Sequence, residues 1–184
     1  MSLSSQEASA SLQQVEEASR RSSQLYFYHC SSPHLIMWGI IWIIGYGGTG
    51  LFPRYGWWLW LGLIVIGSVG GIVLGHRYKR DGYASSPYAW RMGALWAIIL
   101  FFVFGTYAIL PPHLDKQFCA FPALITGCAY MAIGLWRGLR YVISGMVVAT
   151  LTLVGYYFIE PIFFWFAAVG GGAMILTGLW FRTA

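Results

Sequence analysis

The chain has 184 residues, of which 58% are hydrophobic, 18% aromatic and only 9% charged. Six acidic and eleven basic residues, a formal net charge of +5, cannot cover a soluble domain of this size, in which roughly a quarter of residues are charged. A water-soluble fold is excluded on that ground, and lipid is the expected solvent.

Residues 1–32 are expected to form a cytoplasmic N-terminal segment, partly helical or disordered. The first 24 residues are polar and rich in Ser, Gln and Glu. They lack the basic and apolar regions of a signal peptide, so no cleavage is expected. Leu12 and Val15, with Ala8 a turn earlier, make a thin apolar stripe. It fits a short helix on the membrane surface or, equally, a disordered tail up to about Arg20. The run Leu25-Tyr26-Phe27-Tyr28 reads as an interfacial anchor.

Residues 33–184 are expected to form the transmembrane domain. Six stretches are apolar for the length a spanning helix needs: Leu35–Phe52, Tyr55–Gly75, Met92–Leu110, Phe118–Trp136, Tyr141–Ile159 and Ile162–Phe181. They are continuously apolar rather than alternating, which favours helices over a barrel. Proline cannot continue a helix. Pro53-Arg54, Pro111-Pro112 and Glu160-Pro161 therefore mark turns on one side. The loop over 76–91 and the Arg137–Arg140 link lie on the other. The fold class is all-α, a polytopic membrane helical bundle of about six transmembrane helices arranged as three tandem hairpins.

Bases are unevenly shared between the two sides. Arg20, Arg21, Arg77, Lys79, Arg80, Arg91, Arg137, Arg140 and Arg182 fall on one, and only Arg54 and Lys116 on the other. By the positive-inside rule both termini are cytoplasmic. Bases grouped in short loops between spans are orientation signals, and no nucleic-acid partner is expected.

Glycines recur with the hairpins. Gly47, Gly105 and Gly155 each precede a turn proline by six residues, and Gly127 and Gly171 are each followed after seven by Gly-Leu-Trp. This suggests an internal repeat of parallel hairpins with approximate threefold symmetry. Gly67, Gly71 and Gly75 form a small-residue ridge, which serves packing inside the monomer or a homo-oligomer seam. The Gly45–Gly50 run marks a weakened helix end or a close crossing, and Gly170–Gly172 a crossing or hinge.

Chemistry-bearing residues are sparse. No acid and no Lys or Arg lies within a span, which counts against ion-coupled transport and excludes a retinal Schiff base. Cys30, Cys119 and Cys128 have neither disulfide nor zinc spacing. Ser68 and Ser144 have no base beside them. His113, Asp115 and Glu160 are the one acid–base grouping on the outer side, and ordinary loop polarity accounts for them. His34 and His76 flank the cytoplasmic ends of the first two spans, and facing imidazoles at one depth can ligate haem or a metal. With Arg77 and Arg80 they form the candidate ligand-binding group. No catalytic residue and no cofactor is assigned.

The first span, Leu35-Ile36-Met37-Trp38-Gly39-Ile40-Ile41-Trp42-Ile43-Ile44-Gly45-Tyr46-Gly47, with the polar N-terminus before it and Gly134-Leu135-Trp136-Arg137, resembles a group of small six-helix bacterial integral membrane proteins with no assigned function. The resemblance implies a bacterial inner membrane and carries over no functional residue. The expected function is a small non-enzymatic membrane protein that senses or binds an apolar ligand or a protein partner. A passive channel or small-molecule transporter is the alternative, and a haem- or metal-binding protein using His34 and His76 the second. Expected partners are membrane lipids, a second copy through Gly67, Gly71 and Gly75, and a cytosolic protein.

Overall fold

The computed structural model describes residues 5–80 and 89–183. Among them the chain is helical with no strand. Six helices follow one another: α1 (Ser5–Leu51), α2 (Gly56–Arg80), α3 (Ala89–Ile109), α4 (Asp115–Arg137), α5 (Leu139–Phe158) and α6 (Ile162–Phe181). Five are long and apolar enough to cross a membrane, and the apolar run of α3, Gly93–Ile109, is shorter. The protein is an integral membrane protein with an all-helical bundle fold. The basic loop expected over 76–91 is helical at both ends, and 81–88 lie outside the described residues.

α1 is a single helix of 47 residues. At 1.5 Å per residue it is about 70 Å long, more than twice the roughly 30 Å hydrocarbon core. Residues 5–32 contain no Gly or Pro and many Ala, Gln, Glu and Arg, which are good helix formers. Pro33 lies inside the helix. It has no N–H for the His29 carbonyl and crowds that turn. The helix continues because its neighbours are pinned: the Ser32 hydroxyl donates to the Gly178 carbonyl at 2.7 Å, and His34 Nδ1 lies 3.2 Å from the Cys30 carbonyl. Residues 11–23 are exposed on every side, and burial begins at Tyr28.

The C-terminal half of α1 is the centre of the bundle. Tyr46 meets the rings of Trp60 of α2 at 4.8 Å and Phe166 of α6 at 5.4 Å, and its hydroxyl donates to the Cys119 carbonyl of α4 at 3.2 Å. Trp42, Ile162 and Met174 complete this filled core.

The closest helix pairs are α4 with α5 and α1 with α6, both antiparallel and both built on glycine. A Cβ on Gly39 would lie 2.7 Å from the Gly171 carbonyl oxygen, and one on Gly171 equally close to the Gly39 carbonyl. Gly127 and Gly145 oppose each other in the same way between α4 and α5. The seven-residue pairs Gly127/Gly134 and Gly171/Gly178 therefore do one job, lining the seam between the second helix of one hairpin and the first helix of the next. α2 and α3 have no such seam. They meet through Trp57 and Phe104, 6.1 Å apart, while α3 reaches α1 through Trp96 on Trp38 at 4.5 Å. Large rings hold α3 where backbones hold the others.

The glycine-rich stretches also find places. Gly45 and Gly48 are close crossings, facing Trp60 and Leu59 of α2. In α6 the segment Phe166–Gly171 is a π-helical turn, flanked by α-helix on both sides. Such turns insert a residue into an α-helix and are frequent at functional sites.

Candidate functional site

The four residues expected to form a ligand site are spread along α1 and α2. His34 Nε2 lies 3.3 Å from the Gly71 carbonyl and its Nδ1 faces the Cys30 carbonyl. A neutral ring donates to one of these, and in either tautomer the side chain ties α1 to α2. His76 is five residues beyond Gly71, about 7.5 Å along the helix, and it is exposed, as is Arg77. Arg80 ends α2, and its side chain lies outside the described residues. No group of three or more His, Cys, Asp or Glu able to hold a metal occurs among the described residues.

The glycine ridge of α2 is used largely within the chain. A Cβ on Gly67 would strike Trp38 and Ile41, and one on Gly71 would make ordinary contact with His34. Only at Gly75 does a Cβ meet nothing among the described residues. At the opposite end of the bundle, Glu160 pairs with Lys116 at 2.7 Å, and the Gln117 side chain accepts the His113 amide at 2.9 Å. These contacts hold the turns.

The densest group of polar and charged contacts lies at the basic end, where α1, the α4–α5 turn and the end of α6 meet. Gly138 makes that turn with φ 128°, a conformation that side chains rarely adopt. A Cβ there would also collide with Gln24 and Tyr28 of α1. The turn sets Arg137 and Arg140 around α1. Arg137 lies 4.4 Å from the Phe27 ring centre, and Arg140 lies 5.7 Å from that of Tyr28 and 5.0 Å from that of Trp180. Arg140 Nη1 donates to the Trp180 carbonyl at 2.6 Å. Arg182 Nε donates to the Ser32 hydroxyl at 3.0 Å. Beneath them Tyr28, Tyr141 and Phe181 stack together with centroids 4.7–5.8 Å apart. The collar therefore fastens α1 between Gln24 and Ser32, where the helix leaves the bundle ahead of Pro33.

Among the described residues this collar is cationic without an acidic side chain of its own. Residues 18–80, 116–159 and 161–184 contain no Asp or Glu, so the helix ends that supply Arg137, Arg140 and Arg182 bring no acidic side chain with them.

From the collar a groove of about 470 Å³ runs between α5 and α6. Val147 and Leu151 form one wall and Ala168, Gly172 and Leu176 the other, with Trp180 at the collar end. The Ser144 hydroxyl turns back onto the Arg140 carbonyl at 2.8 Å, which leaves the wall apolar. At its deep end the groove meets a crevice lined by Trp42, Thr152, Trp165 and Gly170, beside the π-helical turn. Trp165 Nε1 donates to the Leu151 carbonyl at 3.0 Å there. Trp60 Nε1 and Trp96 Nε1 are buried without a hydrogen-bond partner among the described residues, on the side of the bundle where packing is carried by rings.

Sequence reasoning missed the collar and the groove. The arginines register in sequence only as orientation signals, and their convergence depends on which helices are neighbours. The small residues Ala168, Gly172 and Ala173 on one side of α6 were the available signal for a groove. Comparison with protein-family models, curated proteins and solved structures finds no match.

Proposed function

We propose that this protein is a non-enzymatic inner-membrane protein of bacteria that takes an apolar ligand from the bilayer and presents its occupancy to the cytosol through α1. The observation that carries this reading is α1 itself. One helix supplies the buried centre of the bundle, at Trp42 and Tyr46, and a stretch, residues 11–23, exposed on every side. The π-helical turn supports a coupling between them. Its Ala168 and Val169 line the groove, while Gly171 packs against Gly39 of α1. The projecting half, with Leu12 and Val15 both 65% exposed on one side, is the surface for a cytosolic protein partner. The filled centre around Tyr46 favours this reading over a channel.

Orientation and projection are tested together by Ser19→Cys in inverted and right-side-out membrane vesicles. A membrane-impermeant maleimide, located on the chain by mass spectrometry, is expected to modify residue 19 in inverted vesicles only. Modification in right-side-out vesicles, or in neither, would overturn the assignment of α1 as a cytosolic rod.

A further inference from the structure

We infer that the α5/α6 groove, with Arg140 at its collar end and Arg182 in the same collar on the α1 side, binds one anionic phospholipid, with an acyl chain along the groove and the phosphate at Arg140 and Arg182. The inference rests on the reading that the ligand comes from the bilayer, and it names its class. Three features converge. The groove faces outward between two membrane-spanning helices, with Leu176 68% and Val147 44% exposed, so what fills it is hydrocarbon. From Ala168 to Trp180 it follows α6 for about 18 Å at 1.5 Å per residue, which matches one leaflet of a roughly 30 Å core. Its collar end, at Trp180, is where Arg140 sits.

The charge then selects the headgroup. A guanidinium carries five N–H donors in a fixed fork suited to phosphate. Arg140 uses Nη1 alone, on the Trp180 carbonyl and on Thr183 Oγ1 at 3.5 Å, and Arg182 uses Nε alone, on Ser32. Their remaining donors have no partner among the described residues. Both arginines are fixed by these bonds to the last turn of α6 and to Ser32, so two cations are already positioned. No Asp or Glu side chain lies on α5 or α6. A zwitterionic headgroup brings its own cation against them, whereas an anionic one does not. Bound there, the lipid lies against the π-helical turn, and through Gly171 against α1.

Native mass spectrometry of the intact chain in detergent tests this, with phosphatidylglycerol and phosphatidylcholine offered at equal concentration. Retention of a single phosphatidylglycerol is expected, preferred by roughly thirtyfold, as two arginines near an anionic headgroup provide. Arg140→Gln with Arg182→Gln should abolish the preference. Gly172→Phe, and independently Ala168→Phe, fill the groove and should abolish retention of both lipids; melting curves confirm that each variant is folded. Displacement of the lipid by millimolar inorganic phosphate or glycerol phosphate would assign the site to a free anion and overturn the inference. Retention of both lipids alike, lost on filling the groove, would overturn the anionic class and leave the apolar-ligand reading standing. Retention untouched by either filling variant would remove the groove from that reading as well.

Discussion

Replacing Gly39 with Ala tests the α1/α6 seam on which the bundle is built. The new methyl would lie 2.7 Å from the Gly171 carbonyl oxygen and 3.1 Å from the Ile175 amide nitrogen, where ordinary contact begins at 3.4 Å. The Ile175 Cγ1, at 2.6 Å, can turn aside, but these two obstacles are backbone, so the two helices must separate by about 0.7 Å, the difference between 3.4 and 2.7 Å. A gap of 0.5–1 Å forfeits about a quarter to a half of each dispersion contact it opens. The whole cost is that of an overpacked core, about 1–3 kcal/mol, offset by up to about 1 kcal/mol because Ala is the better helix former. A net loss of about 1–2 kcal/mol should lower the melting temperature in detergent by several degrees. Gly171→Ala acts on the same seam from the other side. The double variant should therefore cost less than the sum of the two, because the first methyl opens the space the second needs. Gly105 of α3 has nothing within 4 Å of its Cβ position, so Gly105→Ala is the control and should melt at or above the native temperature. If Gly39→Ala melts with the control, α1 and α6 do not approach through glycine and the seam is wrong.

Gly138→Ala should destabilise by about 1–3 kcal/mol, because a side chain is strained at that φ and Gln24 and Tyr28 occupy the space; chemical denaturation measures it, and a native midpoint would contradict the turn geometry. Trp165→Phe removes a hydrogen bond to the Leu151 carbonyl and should cost about 1 kcal/mol more than Trp96→Phe, whose indole N–H has no partner to lose. Equal losses in the same unfolding assay would show that the Trp165 bond contributes nothing. Lys116→Ala should change stability by less than about 1 kcal/mol, since its partner Glu160 is largely exposed and surface ion pairs are weak; a loss beyond about 2 kcal/mol would refute that.

The helical class and the turns at Pro53, Pro111 and Pro161 are legible in the sequence because lipid demands long uninterrupted apolar runs and proline ends them. The length of α1 is not. Polar residues 11–23 bury nothing, so no apolar pattern marks them as helix, and Pro33 argues for a break that the bonds of Ser32 and His34 prevent. The seven-residue glycine pairs are visible, but that Gly127 faces α5 and Gly171 faces α1 depends on which helices are neighbours. The same is true of the collar. Arg137 and Arg140 are three residues apart, yet nothing local says that Arg182 and Phe27 come beside them. His34 and His76 looked paired because both sit near helix ends. In the fold His34 is taken up by the Gly71 carbonyl, and His76 stands about one and a half turns closer to the end of α2.

Hydrogen exchange along α1 tests most directly whether lipid in the bundle is felt outside it. The chain is stripped of lipid in detergent and then given phosphatidylglycerol. Exchange at 24–34, across the collar and Pro33, is expected to slow when the lipid returns, and to stay unchanged in the variant carrying Arg140→Gln and Arg182→Gln. Exchange that changes only within 35–51, or that slows equally in the variant, would contradict a signal passing from the groove to the projecting half of α1.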